Sequence, residues 1–187
     1  MKIYDLLLSG ALMLSLAAGG AFAADADKAK KQAEIRKVAQ TSLQKFYKAK
    51  PELKGAVEKA PGYAVFTTYG LSFLVGGAGG KGIARDNKTK KETFMHMAQA
   101  SAGAQVGVSE SETLIVFSSQ KDFDEFVTKG WEGSAGGSVQ AGAGGKSVGP
   151  ASGGQGATAQ YYTLTKNGLQ VGLAVAGTKY SKDADLN

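Results

Sequence analysis

The amino-acid pattern changes at Pro61-Gly62, and this change divides the chain into a helical part and a β-rich part. Residues 27–49 contain no Gly or Pro and are rich in Ala, Lys, Gln and Glu, which predicts a helix. Pro51 ends this helix, and residues 52–59 predict a shorter second helix. After Gly62 the chain consists of short β-type runs separated by Gly-rich segments, so we expect an α+β fold.

The first predicted helix is amphipathic. At about 100° per residue, Ile35, Ala39 and Phe46 fall on one face, flanked by Val38 and Leu43. The opposite face carries four lysines, Lys30, Lys37, Lys45 and Lys48. Two compatible interpretations stay open. In one, the apolar face packs on the core and the lysines are solvated. In the other, the lysines also lie against anionic headgroups, where each contributes about 1 kcal/mol.

The positive charge of the chain is concentrated in this helical part. The sequence has 22 Lys and Arg against 16 Asp and Glu, a net charge of +6. Residues 28–59 hold ten basic and three acidic residues, a net charge of +7, whereas residues 60–187 hold eleven and ten, a net charge of +1. The basic helix lacks the interleaved aromatic residues that stack on bases, so we expect no nucleic-acid partner.

Residues 1–23 have the order of a secretory signal peptide. Lys2 precedes an apolar run, and Ala21-Phe22-Ala23 is a small-x-small cleavage site. The apolar run is too short for a spanning helix, although an uncleaved anchor is the other interpretation. We expect cleavage near Ala23 and a periplasmic or secreted protein that associates peripherally with membrane. The predicted parts are therefore a signal peptide (1–23), a basic amphipathic helical segment (24–60) and a β-rich domain (61–187).

The β-rich domain begins with strands at hairpin spacing. The predicted strands include residues 63–66, 71–75, 93–97, 113–117 and 169–173, and turns fall at residues 86–88 and at Asn167-Gly168. One helix interrupts them, with Ser119 as its N-cap, Phe123 and Phe126 on one face and Gly130 as its end. We expect N-terminal amphipathic helices packed on a curled, Gly-rich antiparallel sheet or incomplete barrel.

The segment 133–156 contains ten Gly in 24 positions. This composition suits a disordered linker and also suits Gly-rich strands, and it does not decide between them. The family resemblance described below favours ordered strands at residues 133–143 and 155–164, joined by a flexible loop near Gly149-Pro150.

Several kinds of chemistry are excluded by composition. The chain has no Cys and a single His, which removes thiol nucleophiles, disulfides, thiolate metal sites and His-pair metal motifs. Residues 77–82 fit G-x-G-x-x-G and residues 142–147 resemble the end of a P-loop, but neither is followed by the helix that a nucleotide site needs. His96 is predicted to be a sheet residue and Trp131 a core residue. We expect no nucleotide, metal or cofactor and no enzyme activity.

A series of motifs resembles the SYLF lipid-binding domain. In chain order these are residues 61–66, Gly76-Gly77, residues 80–82, residues 103–107, residues 123–126, Gly149-Pro150, Tyr161-Tyr162 and residues 166–169. The resemblance extends over about residues 49–178. It implies phospholipid binding, with phosphoinositides as eukaryotic ligands and actin contact in some fungal and animal members. The sequence shows no SH3 or FYVE pattern, so only the ligand class, anionic phospholipid, is carried over.

Charge and resemblance together predict a non-enzymatic, exported protein that binds anionic phospholipids with phosphoinositide-like headgroups at a membrane surface. The predicted lipid-binding residues are the four helix lysines, with Lys81 and Arg85 as a second cluster. Two alternatives stay open. One is an envelope structural protein that oligomerises through its Gly-rich strands, and the other is a carrier that holds an acyl chain inside the curled sheet.

Overall fold

The computed structural model describes residues 18–68, 79–99, 111–133, 138–141, 147–150, 158–166, 168–172 and 178–187. These residues form three helices, α1 (Ala18–Ala49), α2 (Glu52–Lys59) and α3 (Gln120–Lys129). They also form ten strands: β1 (Gly62–Thr67), β2 (Gly79–Asp86), β3 (Glu92–Gln99), β4 (Ser111–Phe117), β5 (Trp131–Gly133), β6 (Ser138–Ala141), β7 (Ser147–Pro150), β8 (Ala159–Thr165), β9 (Gly168–Gly172) and β10 (Thr178–Lys182).

Helices α2 and α3 lie where the sequence predicts them, whereas α1 starts earlier. It begins at Ala18, although Asp25 and Asp27 suggested a start near residue 27. Residues 18–26 contain five Ala and no Pro, and the helix continues through Gly19-Gly20 although each Gly costs about 1 kcal/mol. The two acidic side chains are therefore inside the helix and not in its first turn.

The ends of α3 follow from local signals. The Ser119 hydroxyl accepts a hydrogen bond from the Asp122 backbone N–H at 3.2 Å, which is the predicted N-cap. Gly130 ends the helix with φ of +71°, a left-handed conformation that favours glycine. A side chain at this position would also collide with the backbone carbonyl of Tyr180. The predicted cap and the predicted end are both confirmed.

The ten strands form one antiparallel sheet in the order β7-β6-β5-β10-β3-β2-β1-β4-β8-β9. The sheet is curled, because Phe117 on β4 and Trp131 on β5 have ring centroids only 5.4 Å apart. These strands are five positions apart, which would be about 24 Å in a flat sheet. The predicted α+β fold with a curled antiparallel sheet and N-terminal helices is confirmed.

Small residues on β2 allow the sheet to curve. Gly80, Gly82 and Ala84 occupy its inner face, defined here as the side that faces α3. A Cβ at Gly82 would collide with the Val65 carbonyl and with the Phe66 ring. Glycine here lets Phe66 fold across the neighbouring strand, which gives part of the Gly excess a packing function.

Each face of the sheet has its own hydrophobic layer. On the inner face, α3 and Trp131 pack against Ala64, Phe66, Ala84, Met95, Met97, Ile115, Phe117, Ala159, Tyr161 and Tyr180. On the outer face, α1, α2 and Leu186 cover Tyr63, Val65, Ile83, Phe94, Leu114, Val116 and Tyr162. The alternation along each strand places successive side chains in different layers.

The Gly-rich region differs in part from its prediction. The predicted strand 133–143 corresponds to the end of β5 and to β6, with residues 134–137 and 142–143 outside the described residues. The loop expected near Gly149-Pro150 is wrong, because both residues belong to β7. Pro150 lies at the end of a strand at the edge of the sheet, where a missing backbone N–H is tolerated. The predicted strand 71–75 lies outside the described residues.

Candidate functional site

Helix α1 buries one face and exposes the other. Ile35, Ala39, Leu43 and Phe46 are buried in the outer layer of the sheet. Their packing confirms the interpretation of the apolar face as core. It also fixes the rotation of the helix, so that the opposite face must point away from the sheet.

Three lysines lie on this opposite face. Lys30, Lys37 and Lys48 are exposed and fall within about 20° of one line along the helix. The rise of about 1.5 Å per residue places them about 10 and 16 Å apart along the helix axis. The other exposed residues on this side are the neutral Ala33, Gln40, Thr41 and Gln44, together with Lys45. We call Lys30, Lys37 and Lys48 the helix surface.

Lys45, the fourth predicted helix lysine, contacts the sheet. Its Nζ is 2.7 Å from Oε1 of Glu112, a residue at the start of β4 whose side chain is 1% exposed. The Lys45 side chain itself is 43% exposed. A buried carboxylate requires a nearby cation, so this contact gives Lys45 a structural function.

Lys81 lies on the outer face of the sheet and pairs with the C-terminal turn. Its Nζ is 2.7 Å from Oδ2 of Asp183, and Nε2 of His96 is 3.0 Å from the same oxygen. Burial alone would raise the pKa of Asp183, but the hydrogen bond from Lys81 and the charge of His96 together lower the pKa. His96 belongs to strand β3 as predicted, and its contact with Asp183 was not predicted.

Arg85 is part of a separate ion-pair group. Its guanidinium donates to Oε1 of Glu92 at 2.9 Å, and Arg36 of α1 donates to Oε2 of the same carboxylate at 2.7 Å. Arg36 also lies over the Phe94 ring, with 4.9 Å from Cζ to the centroid. The structure therefore places Lys81 and Arg85 between the sheet and its covering elements, away from the helix surface.

The acidic partners Glu112, Glu92 and Asp183 were not singled out from the sequence. Glu112 could have been noticed, since it is the charged residue of the β4 sequence SETLIVF and directly precedes its apolar part. Asp183 left none, because its partners are 102 and 87 residues away along the chain. Residues so far apart in sequence are brought together only by the pairing of the strands.

The other motifs behave as structural features. The G-x-G-x-x-G match continues into strand β2 and a turn, and Ser147 of the second motif begins strand β7, so neither motif leads into a helix. Trp131 is fully buried, as predicted for a core residue. The described part of the sheet interior is filled by aromatic rings, namely Phe66, Phe117, Phe123, Phe126, Trp131 and Tyr180. The acyl-carrier alternative stays a prediction, which lipid extraction from the purified protein tests.

Across the residues that the structure describes, no helix is both long and apolar enough to cross a bilayer. Within the same ranges, no three His, Asp or Glu side chains are grouped so that they could hold a metal ion.

The sequence of the C-terminal half matches a SYLF-type domain. A family model described as "Ysc84: Las17-binding protein actin regulator" matches residues 98–187. Residues 98–187 are therefore similar to this family, and the SYLF resemblance is confirmed over this part of the chain. The chain is also 32% identical over 160 residues to Beta cell expansion factor A of Aeromonas veronii, a match that covers 81% of this chain. The match covers 57% of that relative, so the chain spans a little over half of its length.

Proposed function

We propose that this protein is a non-enzymatic membrane-surface protein that binds anionic phospholipids through the helix surface. The observation that carries the proposal is the alignment of Lys30, Lys37 and Lys48 opposite the buried face of α1. A rigid row of exposed ammonium groups can meet several headgroups at once, and each contributes about 1 kcal/mol near an anionic surface. The SYLF resemblance supports the ligand class.

The proposal leaves three of the predicted residues out of direct headgroup contact. Lys45, Lys81 and Arg85 each pair with a carboxylate of the fold. Recruiting any of them to a headgroup would uncover a buried or half-buried acid, which opposes binding. We therefore assign the headgroup contact to the helix surface and the other three residues to stability.

We further propose that the protein acts outside the cytoplasm, as the signal-peptide pattern of residues 1–23 suggests. The attraction is electrostatic and acts between exposed groups, so it weakens when salt shortens the screening length to about 8–10 Å. A phosphoinositide-like headgroup is one form of the general ligand, a phosphate-bearing anionic lipid.

Flotation with vesicles tests this function on the protein as recovered after export. We expect binding to phosphatidylglycerol vesicles, little binding to phosphatidylcholine vesicles, and about a 100-fold weaker affinity when Lys30, Lys37 and Lys48 all become Glu. The matched control replaces Lys166, Lys179 and Lys182, which are also exposed, by Glu. An equal loss in both triple variants, or wild-type binding that ignores lipid charge, contradicts the proposal.

A second candidate function is self-association through the sheet edge. Strand β9 is an edge strand, and its Val171 is an exposed large apolar residue with 60% exposure. Exposed apolar edge strands pair readily with other strands. Size-exclusion chromatography with and without vesicles separates the two functions, because self-association predicts concentration-dependent assembly and no response to lipid.

A further inference from the structure

The turn between β2 and β3 presents three lysines in four residues. Lys88, Lys90 and Lys91 are all exposed. The acids on either side point elsewhere. Asp86 is buried and accepts a hydrogen bond from the Thr89 backbone N–H at 2.6 Å, and Glu92 is held by two arginines. The hydrogen bond from Thr89 keeps the pKa of Asp86 low.

Hydrogen bonds bring two further elements to this turn. Asn87 donates from its side-chain amide to the carbonyls of Val57, at 2.6 Å, and of Ala60, at 2.8 Å, which ties the turn to the end of α2. Gln120 donates to Asp86 at 2.9 Å, which ties it to the first turn of α3. These contacts bring the segments that carry Lys59 and Lys121 to the turn, one from each face of the sheet.

We call the five exposed lysines Lys59, Lys88, Lys90, Lys91 and Lys121 the end patch. The exposed acids of α2, the turn and α3 are Glu52, Glu58 and Asp124, so the five lysines outnumber three acids. Over the described ranges of the chain, none of the five ammonium groups lies within 4.0 Å of a carboxylate oxygen. The net charge of +1 over residues 60–187 does not reveal this local excess of lysines.

Lys90 has a backbone conformation that costs stability. Its φ is +61°, and no other non-glycine residue that the structure describes has a positive φ. The left-handed conformation costs an L-residue with a side chain about 1–2 kcal/mol, a cost that glycine avoids. Strain of this kind is commonly kept where the side chain has a function, and here the side chain adds an exposed charge to the end patch.

We propose that the end patch is a second contact with phosphate-bearing headgroups of the same membrane surface. The inference rests on the proposed function and adds which end of the molecule faces the membrane. Helices α1 and α2 pack on the same face of the sheet, and α2 leads from the end of α1 directly to the end patch. Helix α2 therefore connects the helix surface to the end patch, and it carries the exposed Lys54 between them.

A matched pair of double variants tests the end patch on phosphatidylglycerol vesicles. We expect Lys88→Glu with Lys91→Glu to weaken binding about 30-fold. The control, Lys166→Glu with Lys179→Glu, changes net charge equally at the opposite ends of the strands and should weaken binding less than about threefold. Equal loss in the two double variants overturns the end patch as a local contact.

The Lys90→Gly variant distinguishes an effect on lipid binding from an effect on stability. We expect it to raise Tm by about 2 °C or more because strain is relieved, and to weaken vesicle binding about fivefold because a contact is lost. A more stable variant with unchanged affinity overturns the contact at Lys90. Because the variant is expected to be more stable than the parent, weaker binding does not reflect misfolding.

A single label locates the membrane contact independently. The chain has no Cys, so Glu58→Cys beside the end patch and Lys166→Cys in the β8–β9 turn each accept one polarity-sensitive dye. We expect a spectral shift on phosphatidylglycerol vesicles at position 58 and little at position 166. A shift at position 166 alone overturns the proposed orientation. Intact wild-type binding with no effect of the end-patch variants refutes this inference alone, whereas wild-type indifference to lipid charge refutes the proposed function as well.

Discussion

The inner face of the sheet is packed with aromatic rings, whereas the outer face is packed mainly with aliphatic side chains and bordered by ion pairs. Phe126 on the inner face lies within ring-contact distance of Phe66, Phe117, Trp131 and Tyr180. On the outer face, Arg36 and Lys45 of α1 and the C-terminal Asp183 pair with charged side chains of the sheet.

This difference teaches how the two layers are specified. Burial of aromatic rings is a strong hydrophobic contribution that involves no net charge, so the inner layer supplies stability with little dependence on salt or pH. Ion pairs contribute less net energy but require particular partners, so they fix where α1 and the C-terminal turn lie on the sheet. The helix surface is thereby held outward by contacts made on its other side.

The largest expected effect comes from the inner layer. Phe126→Ala should lower the free energy of unfolding by about 3–5 kcal/mol, because it opens a cavity among four rings. Phe46→Ala removes an equally buried ring from the outer layer and should cost about 1 kcal/mol less, since it lacks those ring contacts. Urea denaturation measures both, and a larger loss at Phe46 would break the comparison between the faces.

An intermediate effect is expected at the C-terminal turn. Asp183→Asn leaves Lys81, which is 20% exposed, without its anionic partner and should cost about 2–3 kcal/mol at pH 7. The pKa of Asp183 is lowered by folding, so its stabilisation is present above the unfolded value of about 4 and is lost as pH falls through the lower native value. Unfolding free energy measured against pH should therefore fall less steeply below about pH 4 in the variant than in wild type. Parallel curves would contradict the ion pairing.

The smallest expected effect is at Lys45. Lys45→Ala should destabilise by about 1–2 kcal/mol because Glu112 stays buried with less compensation, whereas the exposed Lys48→Ala should change stability by less than about 0.5 kcal/mol. Vesicle binding should show the reverse order, with the greater loss at Lys48. Thermal unfolding and flotation of the same two variants distinguish a structural lysine from a headgroup contact. Equal losses of stability and of vesicle binding in the two variants would contradict the assignment.

Elements with local signals could be predicted from the sequence. Ser119 and Gly130 mark both ends of α3, and the spacing of Ile35, Ala39 and Phe46 gives the buried face of α1. The start of α1 could not be placed, because the Ala residues around Asp25 and Asp27 favour a helix and Gly19-Gly20 do not end it.

Features that depend on distant pairing could not be predicted. Lys45, Lys81 and Lys37 look alike in sequence, and only the sheet register reveals that the first two have acidic partners. The same applies to the end patch, whose lysines come from α2, the β2–β3 turn and α3. The turn sequence DNKTKKE contains three lysines. This local excess of positive charge is not visible in the net charge of +1 over residues 60–187.

The position of β10 affects the order in which the sheet can assemble. Among the strands that the structure describes, β10 comes last in sequence, yet it lies between β5 and β3 and joins β7-β6-β5 to the other six strands. Until residues 178–182 have been synthesised, the sheet exists only as two unconnected groups of strands. Such long-range closure slows folding. A nascent chain of this topology cannot complete its sheet before residues 178–182 have been synthesised.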